Sequence, residues 1–128
     1  MSSDSKDKRI QKNSQLSSFR LAFFGIISAV KKERNLRIHL CFTAVVIILG
    51  FIFNISVHDW MFISIAIGFV ICMELMNTAL ERVVDLVTEE YHPLAKQAKD
   101  IAAGAVLFAA IVALIIGIFV FGPEIMQL

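Results

Sequence analysis

Apolar residues follow two different patterns along the chain: they recur at helical spacing near the N-terminus and form long unbroken runs after it. Residues 1–15 are mostly polar and lack this period, so we predict a disordered cytosolic tail there. From residue 16 onwards, apolar side chains recur at helical spacing with lysines and arginines between them. This pattern predicts an amphipathic helix over about residues 16–37 that lies on a membrane surface, since it is too short and too charged to cross a bilayer.

The second pattern consists of three long apolar runs. Residues 40–57 and 101–121 contain no charged side chain, and residues 60–80 contain a single acid. Crossing the hydrocarbon core takes ~17–25 residues of helix, so each run is long enough to span. Pro93 suits the first turn of the third helix, and Gly122-Pro123 predicts its end. We therefore predict an all-α integral membrane protein, a single domain over residues 16–128, with spans at about 38–57, 60–87 and 93–121.

The composition favours a bilayer rather than a folded interior as the cover for these apolar residues. The chain is 58% hydrophobic and 18% charged, whereas soluble domains have ~45–50% and ~25%. This balance excludes a disordered chain, a collagen-like repeat and a nucleic-acid-binding module. The three histidines are too scattered along the sequence to predict a zinc site.

The net charge of +1 conceals an uneven distribution. Residues 1–39 hold nine of the twelve Lys and Arg residues and three acids, whereas residues 40–128 hold three cations and eight acids. A basic head on an apolar body indicates contact with the anionic inner leaflet of a membrane. The positive-inside rule then predicts that the N-terminus and the 82–99 segment are cytoplasmic and that the C-terminus is outside.

Polar residues in the second run line up along one side of the predicted helix. Glu74, Asn77, Glu81 and Asp85 fall within an ~80° stripe at ~100° per residue, and Glu74 lies ~10 Å deeper than Glu81. A carboxylate within the bilayer costs at least ~2.5 kcal/mol, which makes Glu74 a candidate functional residue. The structural alternative is that Glu74 and Asn77 only hold helices together.

Two further groups of charged residues fall at the same depth. Glu33 lies where the surface helix meets the first span, and Lys99-Asp100 lies where the third helix enters the membrane. Two converging carboxylates such as Glu33 and Glu81 suit Mg²⁺ with phosphate and water, and a lysine neutralises phosphate charge. Each group alone has a simpler interpretation, a helix ion pair for Glu33 and a solvated helix start for Lys99-Asp100.

The combination indicates phosphoryl transfer from a cytosolic donor to an alcohol in the bilayer, with Glu74 taking the hydroxyl proton. Soluble kinase signatures such as GxxxxGK[ST], GxGxxG and DFG are absent from the sequence. A kinase of this sequence therefore belongs to a different lineage. Two other classes remain open: a small transport subunit that uses the acidic stripe as an ion path, and an adaptor without chemistry.

One stretch is specific enough to name a family. Residues 74–85, ELMNTALERVVD, resemble the signature of the prokaryotic diacylglycerol kinase family. The resemblance extends to residues 18–25, 33–39, 90–96 and 98–106, and covers about residues 16–121. Within the family the chain looks like the Gram-positive branch, whose members phosphorylate undecaprenol, and diacylglycerol is the alternative substrate.

The resemblance implies a role for most of the polar residues. The implied enzyme uses ATP with Mg²⁺ as a homotrimer in the bacterial cell membrane, and its active sites are shared between neighbouring protomers. Asp85 receives no role, and Leu21 stands where some members carry an aromatic residue that contacts the nucleotide, so Arg20 could assist there. The implied assignments are Glu74 as proton acceptor, Asn77 as its support, Glu33 and Glu81 as Mg²⁺ ligands at the ATP site, and Glu90, Tyr91, His92, Lys99 and Asp100 as nucleotide contacts.

Overall fold

The computed structural model describes residues 15–127, and every regular element in that range is a helix. Three of the helices, those after the first, are long and apolar enough to cross a membrane. The prediction of an all-helical protein with three spanning helices is confirmed. The predicted tail lies outside the described residues except for Gln15. The helices are α1 (Gln15–Lys32), α2 (Arg34–Ile52), α3 (Val57–Val87) and α4 (Pro93–Ile125).

The first helix ends earlier than the sequence pattern predicts. Glu33 has an extended backbone (φ −94°, ψ 117°), so α1 stops at Lys32 and the next helix starts at Arg34. The described residues cluster into two compact units that divide at the same point, 15–32 and 33–127. Periodicity does not reveal this break, because the apolar spacing continues across it.

Helix α1 presents large apolar side chains to its surroundings. Phe19, Leu21 and Phe23 are mostly exposed, and the Arg20 guanidinium carbon lies 5.4 Å from the centre of the Phe24 ring. Lys31 and Lys32 occupy the last turn, where cations favourably meet the negative end of the helix dipole. The helix thus mixes exposed aromatic and basic groups along its length.

A tight connection joins α2 to α3, and both helices differ slightly from the predicted spans. Helix α2 ends at Ile52 rather than 57, and Asn54 takes a positive φ of 50° in the turn. Helix α3 begins at Val57 rather than 60, because Ser56 and Asp59 form a capping box. The Ser56 hydroxyl oxygen accepts from the Asp59 N–H at 3.2 Å, and an Asp59 carboxylate oxygen accepts from the Ser56 N–H at 3.3 Å.

Helix α4 starts where predicted and ends later. Pro93 is its first residue, and His92 Nδ1 accepts the Leu94 N–H at 3.2 Å as a cap. The helix passes through Pro123 to Ile125, beyond the predicted end at 121. Proline removes one N–H donor, and this loss is tolerated one turn from the end, where the Met126 N–H reaches the Gly122 carbonyl at 3.1 Å.

Helix α3 packs mainly on α4 and also contacts α2. The buried apolar cluster Ile55, Ile63, Val120 and Phe121 lies at the end of the helices where α2 turns into α3. Apolar residues elsewhere on the helices are largely exposed, as expected for side chains that face lipid. The acidic stripe on α3 begins 11 residues after Ile63, about 16 Å along the helix at ~1.5 Å per residue, so it lies toward the opposite end.

Candidate active site

The polar stripe on α3 passes from buried to exposed along its length. Glu74, Thr78 and Asn77 are 3%, 4% and 8% exposed, Glu81 is half-buried, and Asp85 is exposed. A buried carboxylate is costly unless it is paired. Glu74 nevertheless makes no hydrogen bond or ion pair to any other described residue. The deepest acid of the stripe is therefore also an unpaired one.

Asn77 links the buried and half-buried parts of the stripe. Its Nδ2 donates to Glu81 Oε1 at 3.1 Å, one helical turn further on. Its Oδ1 is buried and has no hydrogen-bond partner in the described part of the chain. An unsatisfied buried acceptor costs about 1–3 kcal/mol. The amide thus orients Glu81 and leaves a free oxygen beside it.

Glu33 is brought to this layer by the break between α1 and α2. As the residue before α2, it makes no side-chain bond to that helix, and its Oε1 instead accepts from Arg82 Nη2 at 3.4 Å. Glu33, Glu81 and His39 all lie close enough to Glu74 to act on it electrostatically. Glu33 and Glu81, the two other carboxylates singled out in the sequence, are thus within electrostatic range of Glu74.

A second ion pair lies at the start of α4. Lys99 Nζ donates to Asp85 Oδ1 at 2.6 Å, and Lys99 is also within electrostatic range of Glu81. Asp100 accepts from Lys96 one turn earlier on the same helix. Lys99 therefore joins the outer end of the stripe, and Asp85, which received no role from the sequence, is the residue that holds it.

The three remaining predicted residues occupy the connection between α3 and α4. The Glu90 N–H donates to Thr88 Oγ1 at 3.2 Å, Tyr91 is 80% exposed, and His92 caps α4. The structure gives none of these three side chains a hydrogen bond or ion pair to Glu33, Glu74 or Glu81 within residues 15–127. They border the outer end of the stripe rather than its buried part.

The donor atoms near Glu33 and Glu81 suit Mg²⁺ in kind. No set of three or more His, Cys, Asp or Glu residues is arranged to hold a metal within the described residues. Two carboxylates and the free Asn77 oxygen are hard oxygen ligands, and Mg²⁺ commonly uses one or two carboxylates and completes its octahedron with phosphate and water. The oxygen donors of Glu33 and Glu81 therefore suit Mg²⁺ in kind, although the described residues form no ready-made metal-binding group.

Sequence reasoning missed two residues of this layer. His39 lies on α2 and acts electrostatically on Glu74, and Arg82 pairs with Glu33 across 49 residues. Both lie inside stretches that carry the family resemblance, 33–39 and 74–85. The missing information was which residues of α2 and α3 face each other, which periodicity within one helix does not provide.

The sequence matches the family described as prokaryotic diacylglycerol kinase over residues 20–121. It is 44% identical over 122 residues to the undecaprenol kinase of Bacillus subtilis (strain 168), and this alignment covers 95% of this chain and 99% of that protein. It is 43% identical over 114 residues to the diacylglycerol kinase of Synechocystis sp. (strain PCC 6803), covering 88% of this chain and 65% of that protein. The diacylglycerol kinase of Escherichia coli (strain K12) is 50% identical over 46 residues, 36% of this chain and 38% of that protein.

Proposed function

Because this chain belongs to the prokaryotic diacylglycerol kinase family, we propose that it transfers the γ-phosphoryl group of ATP to a lipid alcohol in the bacterial cell membrane. The observation that carries this proposal is Glu74, a carboxylate 3% exposed and unpaired within the described residues, next to two more carboxylates at the outer edge of the same layer. A base at that depth can meet a lipid hydroxyl, while the edge can meet a water-soluble nucleotide.

The chemical step follows from these positions. Glu74 takes the proton of the lipid hydroxyl as the oxygen attacks the γ-phosphorus. A phosphorus–oxygen bond to the lipid forms, the bond to the bridging oxygen of ATP breaks, and ADP leaves with that electron pair. Asn77 holds Glu81 in orientation through its 3.1 Å hydrogen bond. Most of the rate gain comes from positioning and charge neutralisation.

The nucleotide is held by the outer residues. Glu33 and Glu81 would hold Mg²⁺, which supplies charge neutralisation to the phosphates when bound. Lys99 meets the phosphates and Asp100 the nucleoside. Glu90, Tyr91 and His92 border the nucleotide from the connection between α3 and α4.

The lipid we propose is undecaprenol. The Bacillus protein named for this substrate matches 95% of the chain, whereas the proteins named for diacylglycerol match over a smaller share. Diacylglycerol is the second candidate, because the 43% identity to the Synechocystis protein is nearly as high. Both substrates present a hydroxyl group at the end of an apolar body, so the same base serves either.

The assembly and orientation complete the proposal. We propose a homotrimer with sites shared between protomers, because three thin helices scarcely enclose ATP and a long lipid. The N-terminus faces the cytoplasm and the C-terminus the outside, and α1 lies on the inner membrane surface. This orientation places the Glu33–Lys99 layer at the cytoplasmic side, where ATP is present.

The test is an ATP-consumption assay on the purified full chain in lipid nanodiscs. Undecaprenol and diacylglycerol are supplied separately at equal mole fraction, and the phosphorylated lipid is quantified. We expect lipid-dependent phosphorylation with preference for undecaprenol. A clear preference for diacylglycerol would replace the proposed substrate, and no ATP consumption with either lipid would contradict the kinase proposal.

A matched pair of variants tests the base. Glu74→Gln should lower the rate by ~10²–10⁴-fold, the range of general base catalysis, and should leave folding intact because an amide is less costly to bury than a carboxylate. Glu124→Gln makes the same change at the far end of α4 and should keep the wild-type rate. Wild-type turnover in Glu74→Gln would show that another group takes the proton.

A further inference from the structure

One ion pair joins the candidate metal ligand Glu33 to the stripe helix α3. Arg82 Nη2 lies 3.4 Å from Glu33 Oε1, and the two side chains are 45% and 30% exposed. Arg82 directly follows Glu81, the other candidate metal ligand, so its guanidinium starts from the same turn of α3. The cation thus stands at one of the two carboxylates that the proposed function assigns to Mg²⁺.

We infer that Arg82 occupies Glu33 before nucleotide binding and competes with the divalent cation for this carboxylate. This inference rests on the proposed function, since it takes Glu33 as a metal ligand. Arg82 keeps the Glu33 carboxylate paired until the cation arrives. Arg82 gives up that hydrogen bond when the cation binds. A stronger Arg82–Glu33 pair therefore raises the cation concentration that the enzyme requires for activity.

The geometry of the pair makes it displaceable. A strong arginine–carboxylate pair is bidentate with N···O distances near ~2.8 Å, whereas this pair has one contact at 3.4 Å. Both side chains are partly exposed, so solvent screens their attraction. The neighbouring Lys99–Asp85 pair has a 2.6 Å contact. Within the described layer, Glu33 is therefore the carboxylate whose partner is easier to remove.

Charge balance supports the exchange of one cation for another. Glu33 and Glu81 both act electrostatically on Glu74, and Arg82 is a cation that the structure pairs with Glu33. Like charges at close range repel, so the three carboxylates favour a positive group between them. Arginine meets this need from within the chain, and a divalent cation meets it with twice the charge.

The experiment measures binding of Mn²⁺ alone, as a probe for Mg²⁺, to the full chain in nanodiscs by electron paramagnetic resonance of free Mn²⁺. Arg82→Gln removes the competing charge and should lower the dissociation constant by about two- to five-fold, the range expected for a partly exposed ion pair. Arg82→Lys keeps the charge and should stay near the wild type. Lys96→Gln removes one positive charge from the Asp100 pair instead and serves as the matched control.

The Mg²⁺ dependence of lipid phosphorylation gives a second measurement. At saturating ATP, Arg82→Gln should reach half-maximal rate at a two- to five-fold lower Mg²⁺ concentration than the wild type, with thermal unfolding of the protein unchanged. Equal or weaker Mn²⁺ binding in Arg82→Gln, or the same shift in Lys96→Gln, would overturn the inference. The proposed function would still stand in that case if the wild type phosphorylates lipid. A wild type without ATP-dependent lipid phosphorylation would instead contradict the proposed function itself.

Discussion

Substitution of Gly50 by alanine tests the packing of the turn between α2 and α3. Gly50 is buried, and a Cβ at this position would lie 2.7 and 2.8 Å from Cη2 and Cζ2 of Trp60, and 3.2 Å from Cδ1 of Ile55. Carbon atoms in favourable contact are ~3.5–4.0 Å apart. The indole would therefore need to move by about 0.8 Å or more, which would disturb its contact with the Phe51 ring, centred 5.0 Å away.

The size of the effect follows from two opposing contributions. Overpacking of a filled site costs about 1–3 kcal/mol, and alanine gains about 1 kcal/mol over glycine in helix propensity. Because the obstructing atoms belong to a rigid ring rather than to the end of a flexible side chain, the clash should dominate. We expect Gly50→Ala to lower the free energy of unfolding by up to about 2 kcal/mol.

The assay is denaturant unfolding of the purified chain in mixed micelles, followed by circular dichroism, because Trp60 is the single tryptophan of the chain and one of the variants below removes it. Gly68→Ala and Gly117→Ala are matched controls in α3 and α4, since nothing lies within 4 Å of their added Cβ atoms. They should leave stability unchanged or raise it. Trp60→Phe removes the obstructing atoms, so the double variant with Gly50→Ala should recover most of the loss attributed to the clash. Stability in Gly50→Ala equal to the controls would refute the reasoning.

Three further predictions concern the helix start, the core and the nucleotide. Ser56→Ala breaks the capping box and should lower the free energy of unfolding by about 1 kcal/mol relative to Ser64→Ala, measured in the same micelles. Equal free energies of unfolding in the two variants would contradict a stabilising role of the capping box. Leu36→Ala empties a position 1% exposed and should cost about 2–5 kcal/mol by the same assay, so a loss under 1 kcal/mol would contradict close packing. Lys99→Ala should raise the KM for ATP at least ~10-fold because a phosphate contact is lost, whereas Lys96→Ala should raise it only slightly. Equal KM values in the two variants would show that Lys99 does not contact phosphate.

The number and type of the helices could be predicted from apolar run length alone. Each run had to bury its backbone polar groups inside a helix, because lipid offers them no hydrogen bonds. The bounds were less predictable. The end of α1 at Lys32 depends on the extended backbone of Glu33, whose side chain reaches a residue 49 positions away. No local pattern contains that pair, and the predicted boundary at 37 reflected continued periodicity.

The candidate site was predictable along one helix and not between helices. Angular spacing placed Glu74, Asn77 and Glu81 on one stripe, and in the structure their exposure falls with depth as that placement requires. The partners Arg82 and Asp85 depend on the rotation of α2 and α4 relative to α3. That rotation is set by packing along the full length of the helices, which a single sequence pattern does not encode.

The distribution of unpaired polar groups is itself informative about the reaction. At the exposed edge of the described layer, Glu33, Asp85 and Asp100 each have a cation within hydrogen-bond distance. In its buried part, the Glu74 carboxylate and the Asn77 Oδ1 have no hydrogen-bond partner among residues 15–127. Pairing would be most valuable where solvent is absent, yet the pairs lie where water could replace them. The reversed arrangement is expected if these unpaired oxygens remain available to a hydroxyl that arrives from the lipid side.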